Sequence, residues 1–557
     1  MALEHCAGPV CFFHLDPAAP KIFGFAELLA GLALIVVAWT IADYRFKFRI
    51  ATAPIPVVRI SSIIVMSVSV LALLTDLWRA EGWLVLNGGP LTPSSWQFLL
   101  AAFFLLSFFA WVWYAVISPP ALTARTGKKI ERQIFETISN GSPHELAIVA
   151  DEVRRYAGTL AMQATNLDET YHSQFPEDRP KPSTLESIAN RIYTMLADRR
   201  MCRAIVRSSP GTAVDLFYSI WTAERYCVPA AKLGVSLLEE GIADHSSILY
   251  FENLEQNSDQ IGFERSFIRT LYGRYDLLCG QKNLLNVDLK KSQLWTSNEW
   301  RTYSKVVLAA YRGFIYAGTA KRATILAAPL AYLGRATPTI PGVDTSQEHV
   351  EHDSVLTLVA VMDFVERGVG LLWSVPEDCL KYHSKDPSGV PEADILDDWV
   401  NLIVIQILHV SSVRGDQWHV AKVMQVVTER TFTSHVFRRR AGRIILYRVR
   451  RRLFKTLRIN GGLSGMQTAN IIRFCLIAAS YTASDRRYSP ELTALFQGVK
   501  RWLRNNYKRL HGIAPEIARL ALPEGCQFNE QYSVVLINDV SWVEGLVSQE
   551  NIIRLKD

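Results

Sequence analysis

Ten cationic side chains fall within 21 residues, namely Arg438, Arg439, Arg440, Arg443, Arg448, Arg450, Arg451, Arg452, Lys455 and Arg458, with no carboxylate among them. The whole chain carries a formal charge of +7, so everything outside this segment sums to about −3 and the basicity is local. Guanidinium groups grip phosphate oxygens in a bidentate fork. The segment therefore suits a phosphate-bearing ligand: an anionic lipid, a nucleotide or a nucleic acid. Ile445, Val449, Leu453 and Leu457 recur at every fourth position, which predicts a helix that buries one stripe and displays the cations around it. Lys500, Arg501, Arg504, Lys508 and Arg509 make a second cluster, interleaved with Trp502 and Tyr507. The structural alternative is an Arg-rich helix that pairs with the acidic remainder of the chain.

His349, His352 and Asp353, beside Glu348 and Glu351, have side chains suited to a divalent metal or to acid–base work. At spacings of three and four they would share one helix face. The histidines do not bracket a glutamate at i and i+4, however, and Thr345 with Glu348 makes a capping-box pattern. The cluster reads first as a helix N-terminus, and no cofactor is expected. Glu392, Asp394, Asp397 and Asp398 follow Pro391 in the same way, as acids that complement a helix dipole. Thr126 to Lys129 lack the upstream glycine of a phosphate-binding loop. Gly461, Gly462, Ser464 and Gly465 have the wrong spacing for a nucleophile elbow, and Gly368 and Gly370 lack the third glycine of a dinucleotide fingerprint. The residues favour binding over catalysis; a membrane-bound metal-dependent hydrolase built on His352 is an alternative.

The elements that carry these residues belong to a chain of 557 residues, 49% apolar and 20% charged, which excludes disorder and a small disulfide scaffold. Three apolar runs occupy the first 118 residues. Residues 22–42, 60–78 and 96–118 are each long enough, at about 1.5 Å per residue, to cross a hydrocarbon core of about 30 Å. Arg45, Lys47, Arg49 and Arg59 lie between the first two runs, and Arg125, Lys128, Lys129 and Arg132 follow the third. The other side holds only Lys21 and Arg79, so the N-terminus is expected outside and the C-terminal bulk in the cytoplasm. Trp39, Trp111, Trp113 and Tyr114 fall near the inner interface, and Trp78, Trp83 and Trp96 near the outer one.

Glu27 and Asp76 are the ionisable residues of the first two runs. Both lie near outer helix ends, where they reach water or headgroups; the sharper alternative is a polar path, or pairing with Arg79. Cys6 and Cys11 flank Gly8 and Pro9 in the outward tail, so a local turn could join them as a disulfide. The other cysteines, Cys202, Cys227, Cys279, Cys379, Cys475 and Cys526, stand singly and read as small buried hydrophobes.

Beyond residue 118 the pattern is helical. Ser142, Pro143 and Glu145 predict a capped helix start, followed by a stripe of Leu146, Val149, Val153, Tyr156 and Leu160 running to about Thr165. Segments 355–373 and 400–413 read as buried core helices, and 532–538 as a strand. Loops at 166–183, 336–345 and 374–391 are the expected seams.

The expected architecture is mainly α. It has an extracytoplasmic tail (1–21), a three-helix transmembrane region (22–118), and a large, mostly helical cytoplasmic domain (119–557) with a minor β element near the C-terminus. The expected role is that of a bacterial-type, multi-pass inner-membrane protein. Its helical domain would sense, signal or scaffold by binding a protein partner or an anionic ligand through the Arg-rich helix. It would sit in the lipid bilayer, as a homo-oligomer or with a partner protein. The alternative is an oligomeric effector or channel gated by that domain.

Overall fold

The computed structural model describes residues 5–7, 10–14, 21–41, 43–87, 92–166, 183–255, 266–281, 283–318, 324–337, 353–375, 395–413, 417–459, 465–482, 489–523, 526–531, 534–537 and 552–555. The protein is mainly helical. It divides into two compact units, Met1–Leu233 and Gly234–Asp557. The division falls within the helix Val228–Ala243 rather than at an expected seam. Most of each expected seam, at 166–183, 336–345 and 374–391, lies outside the described residues.

The first unit opens with strands β1 (His5–Ala7) and β2 (Val10–His14), which pair antiparallel. Helix α1 (Phe25–Ile41), the short α2 (Tyr44–Ala51) and the long α3 (Val57–Ala80) follow. Strand β3 (Leu84–Asn87) then returns to pair with β2, and α4 spans Pro93–Val112. A π-helical turn, Trp113–Ile117, continues α4. Thr92 starts α4 by accepting from the Ser95 N–H, with Pro93 in the first turn where its missing N–H costs nothing.

Among the described residues two helices are long and apolar enough to cross a bilayer: Val57–Ala80, with 24 residues, and Pro93–Ile117, with 25. Their outward faces are greasy. Ile63 and Met66 are 66% and 69% exposed, and Phe98 and Leu106 are 64% and 61% exposed, a density of bare hydrocarbon that a water-facing surface avoids. The first apolar run is shorter as a helix than as a sequence, because α1 covers only 17 residues, about 26 Å. Its first turn begins at Phe25, after Ile22 to Gly24 have gone to polar contacts, and Asp43 already caps α2. Among the described residues, therefore, two helices meet the length criterion where the sequence suggested three.

The tryptophans gather at opposite ends of this bundle. Trp39, Trp111 and Tyr114 pack around Ile50, Ala53, Val57 and Ala115, where α2 meets the start of α3. Trp96 packs against Leu28, Val68, Ala72 and Leu100 toward the other end.

Downstream in the same unit are α5 (Ala124–Asn140), α6 (Pro143–Arg154) and α7 (Ala157–Gln163). The Ser142–Glu145 capping box forms as expected: Ser142 Oγ accepts from the Glu145 N–H at 3.3 Å, and Glu145 Oε2 accepts from the Ser142 N–H at 2.8 Å. Leu146, Val149, Val153, Tyr156 and Leu160 are all buried, so the stripe holds. The expected single helix breaks at Arg155–Tyr156, where the Tyr156 hydroxyl donates to the Pro120 carbonyl at 3.1 Å.

The second unit is organised around α8 (Ser297–Tyr316), α9 (Asp353–Leu371) and α10 (Ile395–Ser411). Segments 355–373 and 400–413 fall largely in these helices and bury most of their apolar residues, the first interrupted by Asp363, Glu366 and Arg367 and the second too short to span. Gly368 lets α9 and α10 approach: a Cβ there would stand 2.0 Å from the Trp399 ring. The Trp399 indole N–H donates to Tyr311 Oη at 2.6 Å, which satisfies both buried polar atoms. Helices α11 (Arg440–Ile459), α12 (Met466–Thr482), α13 (Pro490–Ile513) and α14 (Pro515–Ala521) lie nearer the C-terminus. Strands β4 (Cys526–Asn529), β5 (Val534–Ile537) and β6 (Ile552–Arg554) form an antiparallel sheet in the order β4-β5-β6, which contains the strand expected at 532–538.

Candidate functional site

Helix α11 carries the Arg-rich segment and sorts its side chains by face. Ile445, Val449, Leu453 and Leu457 are at most 3% exposed, so the fourfold stripe is the buried one. Arg443, Tyr447, Arg451 and Lys455, again four apart, are exposed, as are Arg439 and Arg452. Arg448 turns aside to Asp397 on α10 at 3.1 Å. Arg450 pairs with Glu491 on α13 at 2.8 Å and lies over the Tyr447 ring, 5.2 Å from its centroid. Arg438 and Arg440 also have partners. Arg458 closes the helix, and its side chain lies outside the described set.

Helix α13 packs directly on α11, because Gly498 admits the Phe454 ring; a Cβ there would stand 2.1 Å from Phe454 Cζ. It buries Leu492, Leu495, Val499, Leu503, Tyr507 and Leu510 and exposes Arg501, Arg504, Lys508 and Arg509. Tyr507 is not a stacking platform. Its hydroxyl donates to the Ala518 carbonyl at 3.0 Å inside the core, and burial pushes its ionisation well above the usual range. Both helices thus expose cations, while Asp397 and Glu491 are engaged by Arg448 and Arg450.

Sequence reasoning missed a second arginine site, in the first unit. Arg49, on α2, forks onto Glu152 of α6: Nε donates to Oε2 at 2.9 Å and Nη2 to Oε1 at 2.7 Å. The third guanidinium nitrogen, Nη1, donates to the Ala115 carbonyl at 3.0 Å, in the π-helical turn that ends the α4 span. The residues four and five beyond Ala115 are Pro119 and Pro120, which carry no N–H, so its carbonyl is left for the arginine. Glu152 is 1% exposed, and its hydrogen bonds hold the Arg49 pKa above the ordinary value. Burial, reinforced by the Glu152 charge, pushes the Tyr156 hydroxyl up to about 12. Arg45 reaches Asp151 at 2.7 Å from one turn earlier, and the Lys129 ammonium donates to the carbonyls of Ala53 and Pro54. This junction ties the loop between two membrane-type helices to the helices that follow them. A signal was present in the sequence: Glu152 interrupts the apolar side of α6, between Val149 and Val153, and Arg45 and Arg49 are one helical turn apart.

Glu27 and Asp76 meet at the N-terminus of α1 and satisfy its orphan donors. The Gly24 N–H donates to Glu27 Oε2 and the Phe25 N–H to Asp76 Oδ2, each at 3.0 Å. A Cβ on Gly24 would stand 3.0 Å from Asp76 Oδ2 and 3.2 Å from Glu27 Oε2, a tight contact that the two carboxylates would have to yield to. The ion pair of Asp76 is with Lys21, at 3.0 Å, and not with Arg79. Arg79 is 5% exposed, and its Nε and Nη2 lack hydrogen-bond partners among the described residues. The pair forms with the lysine because the turn before α1 lays Lys21 beside the carboxylate that caps the helix.

Cys6 and Cys11 stand directly opposite one another in the β1–β2 register. Asp353 opens α9, and its carboxylate accepts from the Ser297 N–H at 3.0 Å, joining the starts of α9 and α8. His349 and His352 lie outside the described residues. Among the described residues no three His, Cys, Asp or Glu side chains gather as a metal site.

No protein-family model matches the chain, and no curated protein is significantly similar to it.

Proposed function

We propose that this chain is an integral inner-membrane protein whose helical cytoplasmic region binds an anionic phospholipid surface through the exposed face of α11 and α13. With α1, whose 17 mostly apolar residues sit at the short end of the spanning range, taken as a third crossing, its N-terminus lies outside, and it acts as a sensing or scaffolding module. The observation that carries the reading is the exposed series Arg443, Tyr447, Arg451 and Lys455, flanked by Arg452, whose cations form no ion pair among the described residues. The stripe behind it is wholly buried in protein, so the helix offers no apolar face for insertion and attraction is electrostatic. Each such cation is worth about 1 kcal/mol beside an anionic leaflet. The Lys and Arg asymmetry of the short loops supports the orientation.

The test uses the full chain in nanodiscs of neutral lipid, captured on phosphatidylglycerol vesicles. Arg443→Gln, Arg451→Gln, Arg452→Gln and Lys455→Gln together are expected to weaken capture by roughly two to three orders of magnitude, and salt to weaken the parent protein steeply. Unchanged capture defeats the reading. Stronger binding of the parent to single-stranded RNA than to vesicles transfers the site to nucleic acid.

The junction favours a second reading, an oligomeric effector whose membrane helices are moved by the domain behind them. Arg49 holds α2, the end of the α4 span and α6 in one hydrogen-bonded set, so displacement of α6 must move the others. Under this reading, proteoliposomes of the parent chain release dye on addition of the α11 ligand. Vesicles that stay tight remove the effector.

A further inference from the structure

We propose that a cavity beside α2 is a binding site for the headgroup and glycerol backbone of one anionic phospholipid, distinct from the α11 face; this rests on the membrane reading above. The cavity measures about 210 Å³ and is half open. Trp39, Tyr44, Lys47, Ile50, Val58 and Gln133 line it, drawn from α1, α2, α3 and α5. Most of that lining is apolar, and Lys47 is its one charged side chain.

The chemistry of the lining selects the occupant. Lys47 forms no ion pair among the described residues, whereas its neighbours Arg45 and Arg49 are both committed to Asp151 and Glu152. A lone ammonium on an apolar wall calls for an anion attached to hydrocarbon. The volume is below the roughly 300–1,000 Å³ of pockets that enclose a drug-sized molecule, so it takes the polar end of a ligand whose remainder lies outside. That remainder has an apolar exit: Val58, which lines the cavity from the first turn of α3, is 50% exposed. The Trp39–Trp111 pair, with centroids 5.8 Å apart, marks the headgroup depth at which such an occupant sits.

Occupancy also reaches the junction. Lys47 and Ile50 line the cavity from the helix whose Arg45 and Arg49 hold α6, so a lipid seated there braces the clamp from its membrane side.

The experiment titrates the full chain, purified in neutral detergent, with phosphatidylglycerol while the melting temperature is followed. The protein carries the four glutamine substitutions on α11, so that face does not contribute. Phosphatidylglycerol is expected to raise the melting temperature and phosphatidylcholine to leave it unchanged. Lys47→Gln should weaken the apparent affinity about fivefold, the value of one cation beside an anionic headgroup. Val58→Trp, at an exposed position, fills the cavity and should abolish the response while leaving the lipid-free melting temperature in place. An unaltered response in Lys47→Gln, or the same rise with inorganic phosphate alone, overturns the proposal. Carbonate extraction separates the two readings. A chain released to the supernatant defeats membrane insertion and the cavity site together, whereas a retained chain that ignores phosphatidylglycerol defeats the cavity site alone.

Discussion

Arginine serves this protein in two opposite ways. At the junction, Arg49 and Glu152 have side chains only 11% and 2% exposed, and every guanidinium nitrogen has an acceptor. On α11, Arg443, Arg451 and Arg452 stand in solvent. A buried pair repays its desolvation only through complete hydrogen bonding, so its value lies in fixing one geometry. An exposed, unopposed row contributes little to folding and is available to a ligand. Net charge does not distinguish them; burial and the presence of a carboxylate do.

The largest expected effect lies at the buried end. Glu152→Ala strands the Arg49 guanidinium and should cost about 3–5 kcal/mol, read as a large fall in the melting temperature of the purified chain. The double change Arg49→Met with Glu152→Leu should recover most of that loss, because two apolar groups leave no orphaned charge. A small effect from Glu152→Ala alone would erase the contrast. The four α11 glutamines, by comparison, should leave the melting temperature within the range of ordinary surface substitutions, about 0.5 kcal/mol, while vesicle capture collapses.

Arg450 sharpens the division, since it belongs to α11 in sequence and to the paired class in structure. Arg450→Gln deprives Glu491 of a partner whose side chain is 26% exposed, and a loss of about 1 kcal/mol in stability is expected by chemical denaturation. Vesicle capture should change much less than with Arg451→Gln. The reverse order would assign Arg450 to the binding face and Arg451 to the scaffold.

The sequence made much of this architecture legible. The capping box at Ser142, the stripe from Leu146 to Leu160 and the stripe from Ile445 to Leu457 are all short-range patterns with one physical solution. Hydrophobic length marked the apolar spans of α3 and α4. It overstated α1, because the local contest for Ile22, Gly24 and Phe25 N–H groups was decided by Gln97, Glu27 and Asp76, two of which come from other helices. The α11 cations were all visible as a cluster, but not which of them were spent. Asp397 is 51 positions from Arg448, and nothing local marks it as a partner.

What the sequence determined by itself is periodicity, capping and the concentration of charge, because each depends on neighbours within a few turns of the chain. Only the tertiary structure decided which charges are neutralised. An ion pair such as Arg49 with Glu152, 103 residues apart, requires the chain to bring its partners together, and the burial that makes the pair strong comes from packing around both. The cavity beside α2 belongs to the same category, since its walls are four helices that no local pattern assembles.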